Sequence, residues 1–276
     1  MSDLRLENKK LMLFDLDGTL LRTDKTISGY TRSKLEECRG MGLVIGVCTS
    51  RSESNSRKFT ESLRPELVIS SGGALVTYKG EVLSCSSFSA DETDMIISKI
   101  REVCGDVNIS ADTPDGDYYC NCGFTEDEYA LMSSWGRIIP SDFDGFSEPT
   151  LKICAEIFDE EKAMRLRAEL PQCDCIRFTD GYWYKFTRCG ITKESAIERL
   201  CAAMGIGCGD IVAFGDDLAD IGMLTLCGMG VAMGNAPAGV KNAADIVIGT
   251  NDDDGIALFL DGFVNTYGRM RPVKVS

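Results

Sequence analysis

The sequence predicts an α/β protein: a parallel sheet covered by helices on both faces, interrupted by a separate α+β unit. Three observations carry that class. Short, continuous apolar runs alternate with helical patterns at both ends of the chain, as strands buried on both faces require. The middle third instead shows strands of alternating polarity, which fit an antiparallel sheet with helices on one face. The length of 276 residues exceeds a typical domain of roughly 150, so two units are expected.

The elements follow in order. Leu11–Phe14 is an apolar strand that ends at Asp15-Leu-Asp17-Gly18, where two carboxylates cannot continue a buried run. Ser28 caps a helix over Tyr30–Arg39, and Gly40 and Gly42 stop it. Leu43–Cys48 is the second strand, followed by Thr49-Ser50-Arg51 and a Ser-rich helix start. Leu67–Ser70 is the third, and Ala74–Val76 with Glu81–Leu83 forms a hairpin turning at Lys79-Gly80. In the middle, a helix over Glu92–Val103 precedes strands near Val107–Ser110 and Tyr118–Asn121, and Thr125 with Glu128 makes a capping box. Leu151–Ile157 alternates like a half-exposed strand, Asp159 caps a helix to Leu170, and Cys175–Thr179 pairs with Tyr182–Thr187 across Asp180-Gly181. The first rhythm then returns: Thr192 caps a helix through Met204, ended by Gly205, and Ile211–Phe214 runs into Gly215-Asp216-Asp217. A helix over Leu218–Leu226 and strands at Gly230–Met233 and Asp245–Ile248 complete it. The division is 1–83 with 188–276 for the core and 84–187 for the insert.

Composition removes whole classes of chemistry. The chain has no histidine, so Ser-His-Asp and Cys-His hydrolases and imidazole-ligated zinc are excluded. A net charge of −14 repels phosphate backbones and anionic lipid, so neither nucleic acid nor a membrane surface is an expected partner. No run of about 20 apolar residues spans a membrane, and Met1–Lys10 lacks an apolar signal core. A cytoplasmic location is expected, and with it reduced thiols. The 13 cysteines then read as small buried hydrophobes; the C-x-C pairs Cys120/Cys122 and Cys173/Cys175 lack the spacing of a four-thiolate zinc site. The Asn251–Gly255 run fails calcium-loop spacing and reads as a helix cap. Trp135, Trp183, Met229 and Met233 read as packing residues, and the basic tail (Arg269, Arg271, Lys274) as solvated.

In open α/β sheets, ligands collect beyond the carboxyl ends of the strands. Asp15 and Asp17, Thr49-Ser50-Arg51, Lys193 and Asp216-Asp217-Leu-Ala-Asp220 all sit at or near such ends. Converging carboxylates cannot all remain ionised without a cation among them. A hard divalent ion with oxygen ligands, Mg²⁺ rather than Ca²⁺, is the simplest solution. Lys193 adds positive charge, and Thr49 with N–H groups at a helix start takes phosphate oxygens. An ionised Asp15 needs no base to act as nucleophile on phosphorus, and Asp17 is placed to move the proton of the leaving oxygen. Phosphoryl transfer is mostly positioning and charge neutralisation, so this small set suffices.

Asp15-Leu-Asp-Gly-Thr-Leu20 resembles the first motif of the haloacid dehalogenase (HAD) superfamily. The later runs Gly190-Ile-Thr-Lys193, Gly215-Asp-Asp-Leu-Ala-Asp220, Val231-Ala-Met-Gly-Asn-Ala236 and Thr250-Asn-Asp-Asp-Asp-Gly255 resemble its Cof-type branch of sugar-phosphate phosphatases. The resemblance implies a Rossmann-like three-layer core with an inserted α+β cap (type IIB) that governs substrate specificity. It implies Asp15 as nucleophile and Asp17 as acid/base. Asp15, the backbone carbonyl of Asp17 and Asp216 would ligate Mg²⁺, with Thr49, Ser50, Lys193 and Asn235 toward the phosphate and Asp217 and Asp220 behind. It departs from the family pattern at Ser50 (usually Gly), Ala219 (commonly Asn) and Lys185 (often Glu). Leaving-group contacts are expected from Asp112–Asp117, Tyr182–Lys185 and Arg188. The expected activity is hydrolysis of a small phosphorylated metabolite by a monomer or homodimer. A phosphotransferase or phosphomutase, a catalytically weak phosphometabolite-binding regulator and a thiol-based redox or metal protein remain as alternatives.

Overall fold

The computed structural model describes residues 9–123, 137–178 and 181–270, and its strands form two sheets. In the larger, β1 (Leu11–Phe14) is central. On one side lie β2 (Val44–Cys48), β3 (Leu67–Ser70) and the hairpin β4 (Leu75–Tyr78) and β5 (Glu81–Cys85). On the other lie β12 (Ile211–Gly215), β13 (Met229–Ala232) and β14 (Ile246–Val247). All pairings are parallel except those of the hairpin. Chain order runs outward from β1 in both directions, so the crevice beyond its C-terminal end is where a ligand belongs.

Alternation along the strands sends side chains to two cores. Met12, Phe14, Val47, Phe214 and Val231 join one apolar cluster with Leu35 of α1 (Gly29–Gly40), Phe59 of α2 (Glu53–Thr60) and Leu260 of α8 (Gly255–Met270). Leu11, Leu13, Ala213 and Ala232 join the other, with Ile197 of α5 (Lys193–Met204), Leu224 of α6 (Ile221–Leu226) and Val240 of α7 (Ala238–Ala243). The predicted caps are present at Ser28 and Thr192, and Gly205 ends α5 in the left-handed conformation. One element differs from expectation. The single helix over Leu218–Leu226 is a 3₁₀ turn, Leu218–Asp220, followed by α6; the Asp220 side chain folds back onto the Asp216 and Asp217 N–H groups at the turn. The Asn251–Gly255 run, read as a helix cap, leads into α8, and Ile256, Leu260 and Phe263 hold that helix in the core.

The six-stranded sheet comprises β6 (Ile109–Asp112), β7 (Tyr118–Cys120), β8 (Ile138–Pro140), β9 (Lys152–Glu156), β10 (Cys173–Arg177) and β11 (Trp183–Arg188), in the order β10-β11-β9-β6-β7-β8. It is antiparallel except between β7 and β8. Ile109, Ala111, Ile153, Ala155, Tyr184 and Phe186 pack one face against α3 (Ala90–Cys104) and α4 (Glu160–Glu169). The opposite face carries Ser110, Asp112, Lys152, Cys154 and Lys185, in register across neighbouring strands. The expectation of a half-exposed strand at Leu151–Ile157 is corrected here: Lys152 to Ala155 are all buried, because this polar face lies over the larger sheet rather than in water. The Thr125/Glu128 capping box, Trp135, Asp180, Arg271 and Lys274 lie outside the described residues.

All thirteen cysteines are free. Burial pushes the Cys38 and Cys48 thiols up to about 12, which keeps them protonated and inert. Cys85 and Cys189 are exposed, so burial does not extend to every thiol. Among the described residues no helix is long and apolar enough to cross a membrane.

Candidate active site

Parallel pairing of β1 with β12 sets Phe14 beside Phe214, their rings stacked at 4.4 Å. The chains leaving those strands therefore emerge together, and the Asp15 N–H donates to the Phe214 carbonyl at 2.9 Å. This brings together Asp15, Asp216 and Asp220, which can each offer an oxygen within 4.8 Å of the others.

Each carboxylate is held differently. Lys193, at the first turn of α5, reaches down from the opposite side and donates from Nζ to Asp15 Oδ1 and to Asp220 Oδ1, both at 2.6 Å. Asp220, fully buried, uses Oδ2 to accept the Asp216 and Asp217 N–H groups at 3.0 and 3.1 Å. Its oxygens are therefore committed to positioning Lys193 and the Asp216 loop. Asp216 accepts from the Thr19 hydroxyl at 3.0 Å and from Asn235 Nδ2 at 3.3 Å. Gly18 has φ +72°, and a Cβ there would sit 2.2 Å from Asp216 Oδ2, so the turn after Asp17 can approach this carboxylate only as glycine.

The cluster carries more negative than positive charge. Burial and the Asp220 and Asp216 carboxylates push Asp15 up, against the pull of Lys193. Burial, with Asp220 and Asp217 nearby, raises Asp216 from its ordinary value to about 6, against the hydrogen bond from Thr19. One ammonium among three acids leaves a deficit that a hard divalent cation would remove. The donor set thus fits such an ion, with Asp15 and Asp216 as its carboxylates and Asp220 already engaged.

Above this cluster lies a cleft of about 440 Å³, the size of a small-molecule site. Asp15, Asp17, Thr49, Ser50, Lys193, Asp217 and Asp220 all line it, so most of the candidate residues converge. Thr49 is buried, and its hydroxyl oxygen accepts the Arg51 N–H at 3.1 Å. The Asp217 carboxylate caps the following turn through the Leu218 N–H. Asn235 is placed elsewhere: its amide donates to the Gly18 carbonyl at 2.9 Å and braces Asp216 from the side, away from the residues that line the cleft. Arg188 is also turned away, bonded to the Ser87 carbonyl and to Glu92.

Several other cleft residues, Arg51 first among them, carried no assigned role in the sequence. Arg51 forms a two-point pair with Asp17, Nε to Oδ2 at 2.5 Å and Nη2 to Oδ1 at 2.8 Å, and Lys25 donates to the same carboxylate at 2.8 Å. Burial opposes ionisation of Asp17, but these cations overcome it and hold its pKa at about 2. The sequence signal for Arg51 is its place directly after Thr49-Ser50 at a strand end. From the cap come Ser110, Tyr118, Lys152, Cys154, Phe178 and Trp183; of the Tyr182–Lys185 segment expected at the leaving group, Trp183 lines the cleft and so does more than pack. Lys152 Nζ lies 2.8 Å from Asp112 Oδ2 and donates to the Ser50 carbonyl at 3.2 Å, crossing from cap to core.

Comparison with known proteins identifies the family. Residues 12–260 match the family model of the haloacid dehalogenase-like hydrolases. The 5-amino-6-(5-phospho-D-ribitylamino)uracil phosphatase YcsE of Bacillus subtilis is 27% identical over 90% of this chain and 93% of its own. A solved HAD subclass IIB sugar phosphatase is 26% identical with a TM-score of 0.77, covering 92% of this chain and 99% of that one. A haloacid dehalogenase-like hydrolase from Bacteroides thetaiotaomicron, 24% identical over the same shares, shares the fold with a TM-score of 0.79. With nearly its whole length matched, and with strand-end aspartates and lysine gathered under an inserted cap, the chain belongs to the haloacid dehalogenase-like hydrolases, in their Cof-type branch of phosphatases.

Proposed function

We propose that the protein is a Mg²⁺-dependent phosphatase that hydrolyses a small phosphorylated metabolite, a sugar phosphate in the first instance, through an aspartyl-phosphate on Asp15. The observation that carries this reading is the buried contact of Lys193 with Asp15 and Asp220 beside Asp216, at the floor of a cleft roofed by the cap. Asp15, Asp216 and the backbone carbonyl of Asp17 would hold the metal. When bound, Mg²⁺ neutralises phosphoryl charge that an acidic protein would otherwise repel.

Lys193 steadies one oxygen of Asp15 and balances its charge, and Asp220 fixes that lysine. Thr49 and the N–H groups after β2 receive the phosphate oxygens. Asp15 attacks phosphorus in line as the bond to the leaving oxygen breaks. Asp17 supplies the proton to that oxygen and takes one from the water that cleaves the aspartyl-phosphate. Pairing with Arg51 and Lys25 keeps Asp17 ionised, so its acid role requires those cations to turn to the substrate's phosphate. A phosphate dianion entering beside Thr49 competes for the Arg51 guanidinium on charge grounds. The cap keeps bulk water from the intermediate.

The test is hydrolysis of p-nitrophenyl phosphate by purified protein. Phosphate release should need Mg²⁺, stop with EDTA, and fall by roughly 10³-fold or more in Asp15→Asn, as losing a nucleophile does. An Asp15→Asn protein that keeps the wild-type rate refutes the mechanism. No turnover with any phosphomonoester would leave a binding protein, to which the apolar Ala219 on the cleft wall would then be relevant.

A further inference from the structure

The cations around the cleft are not equivalent. Arg51 is paired with Asp17, Lys152 with Asp112, and Lys193 with Asp15 and Asp220. Lys185 has no carboxylate within 4.0 Å among the described residues. Register places it opposite Cys154 on β9, on the same cap face as the cleft-lining Lys152 and Trp183. Its Nζ comes down to the core turn at Gly72, 3.4 Å from where a Cβ would lie there. Gly72 in turn donates its N–H to the Thr49 carbonyl, so this ammonium borders the phosphate-receiving loop from the cap side. Burial, then Lys152 and Lys193, press its pKa below the ordinary lysine value. An uncompensated, partly buried cation beside other cations is costly and is relieved by an anion.

On the phosphatase reading, Lys193, Arg51 and the metal held by Asp15 and Asp216 would answer the charge of the transferred phosphoryl group. What lies against the cap is the leaving part of the substrate. We propose that Lys185, at the margin of the cleft beside the cleft-lining Lys152, forms with it an anion subsite on the cap side, which takes a carboxylate or second phosphate carried by the leaving group. The preferred substrates are then phosphate esters bearing a second anionic group, not neutral sugar monophosphates. This rests on the phosphatase reading, and it narrows the substrate class within it.

The experiment compares kcat/KM within matched pairs at constant ionic strength. Glycerol 3-phosphate against 3-phosphoglycerate tests a carboxylate, and fructose 6-phosphate against fructose 1,6-bisphosphate tests a second phosphate. Wild type should favour the more anionic member at least about tenfold in one pair, the size of a charge-assisted contact. Lys185→Met should bring that ratio close to one, and Lys185→Arg should restore most of it. A purely structural lysine would lower both members of a pair equally and leave the ratio intact. Ratios near one in both pairs for wild type, or an unchanged ratio in Lys185→Met, overturn the subsite. If p-nitrophenyl phosphate and all four esters are untouched, the phosphatase reading fails by itself. Calorimetric binding of 3-phosphoglycerate and glycerol 3-phosphate to wild type and Lys185→Met then decides the subsite separately. Tighter binding of the acid that depends on Lys185 supports it, and equal binding overturns it.

Discussion

Asp216→Asn should make the metal-free protein more stable while removing its response to Mg²⁺. Asp216 sits near Asp220 and Asp217 and titrates at about 6 rather than at its ordinary 3.8. At pH 7.5 it is ionised in both folded and unfolded chains, and the fold bears the cost. A gap of about two pH units corresponds to about 3 kcal/mol, or about 1.5 kcal/mol once partial exposure screens it. The sign follows from proton binding. Between pH 4 and 6 the folded state holds the proton more tightly, so stability falls as pH rises through that window and the full penalty applies above it. The amide keeps an oxygen for the Thr19 hydroxyl and carries no charge. Thermal unfolding in EDTA at pH 7.5 should show a Tm higher by about 3–6 °C in the variant, at roughly 2–4 °C per kcal/mol. That gain should shrink toward zero near pH 4. Millimolar Mg²⁺ should raise the wild-type Tm and leave the variant unmoved. A variant less stable than wild type in EDTA at pH 7.5, or an equal Mg²⁺ response in both, would refute the charge argument.

Two further perturbations test the structure around the cluster. Lys152→Met strands the Asp112 carboxylate, which is 2% exposed, and should cost about 3–5 kcal/mol by denaturant unfolding; adding Asp112→Leu should recover most of it, since an apolar pair replaces a buried ion pair at little cost. Gly18→Ala places a methyl group in the Asp216 carboxylate at a positive φ, and should both destabilise by about 1–3 kcal/mol and abolish the Mg²⁺-dependent rise in Tm.

The parts of the site visible in the sequence are those where local chemistry contradicts local structure. Asp15 and Asp216 stand out because a carboxylate directly after an apolar strand has no packing reason to be there. Lys193 stands out through its place at a helix start between such motifs. Arg51 gives a weaker signal, since its role depends on Asp17, 34 positions away. Asn235 shows the converse: its motif is visible, but whether its amide meets substrate or braces Asp216 is set by how the Met233–Ala236 turn packs beside Gly18. The pairing of Lys152 with Asp112 depends on β9–β6 register, which no local pattern encodes. Lys185 likewise acquires its setting from the Gly72 turn of the other sheet.

The alternation over Leu151–Ile157 shows most clearly where sequence reasoning ends. Period-two polarity establishes that one face of a strand is polar; it does not say what that face meets. Here the polar face closes the cleft, and its Lys152 and Cys154 are buried. That inversion gives the two sheets complementary charge. Strand ends in the core deliver carboxylates at a single point, because parallel neighbours finish together. A sheet face in the cap delivers cations over an area, because residues two apart share it. The first arrangement suits a reaction at one phosphorus atom. The second suits recognition of whatever that phosphorus is attached to, because cations concentrated on such a face offset, locally, the charge of −14 that would otherwise repel an anionic leaving group.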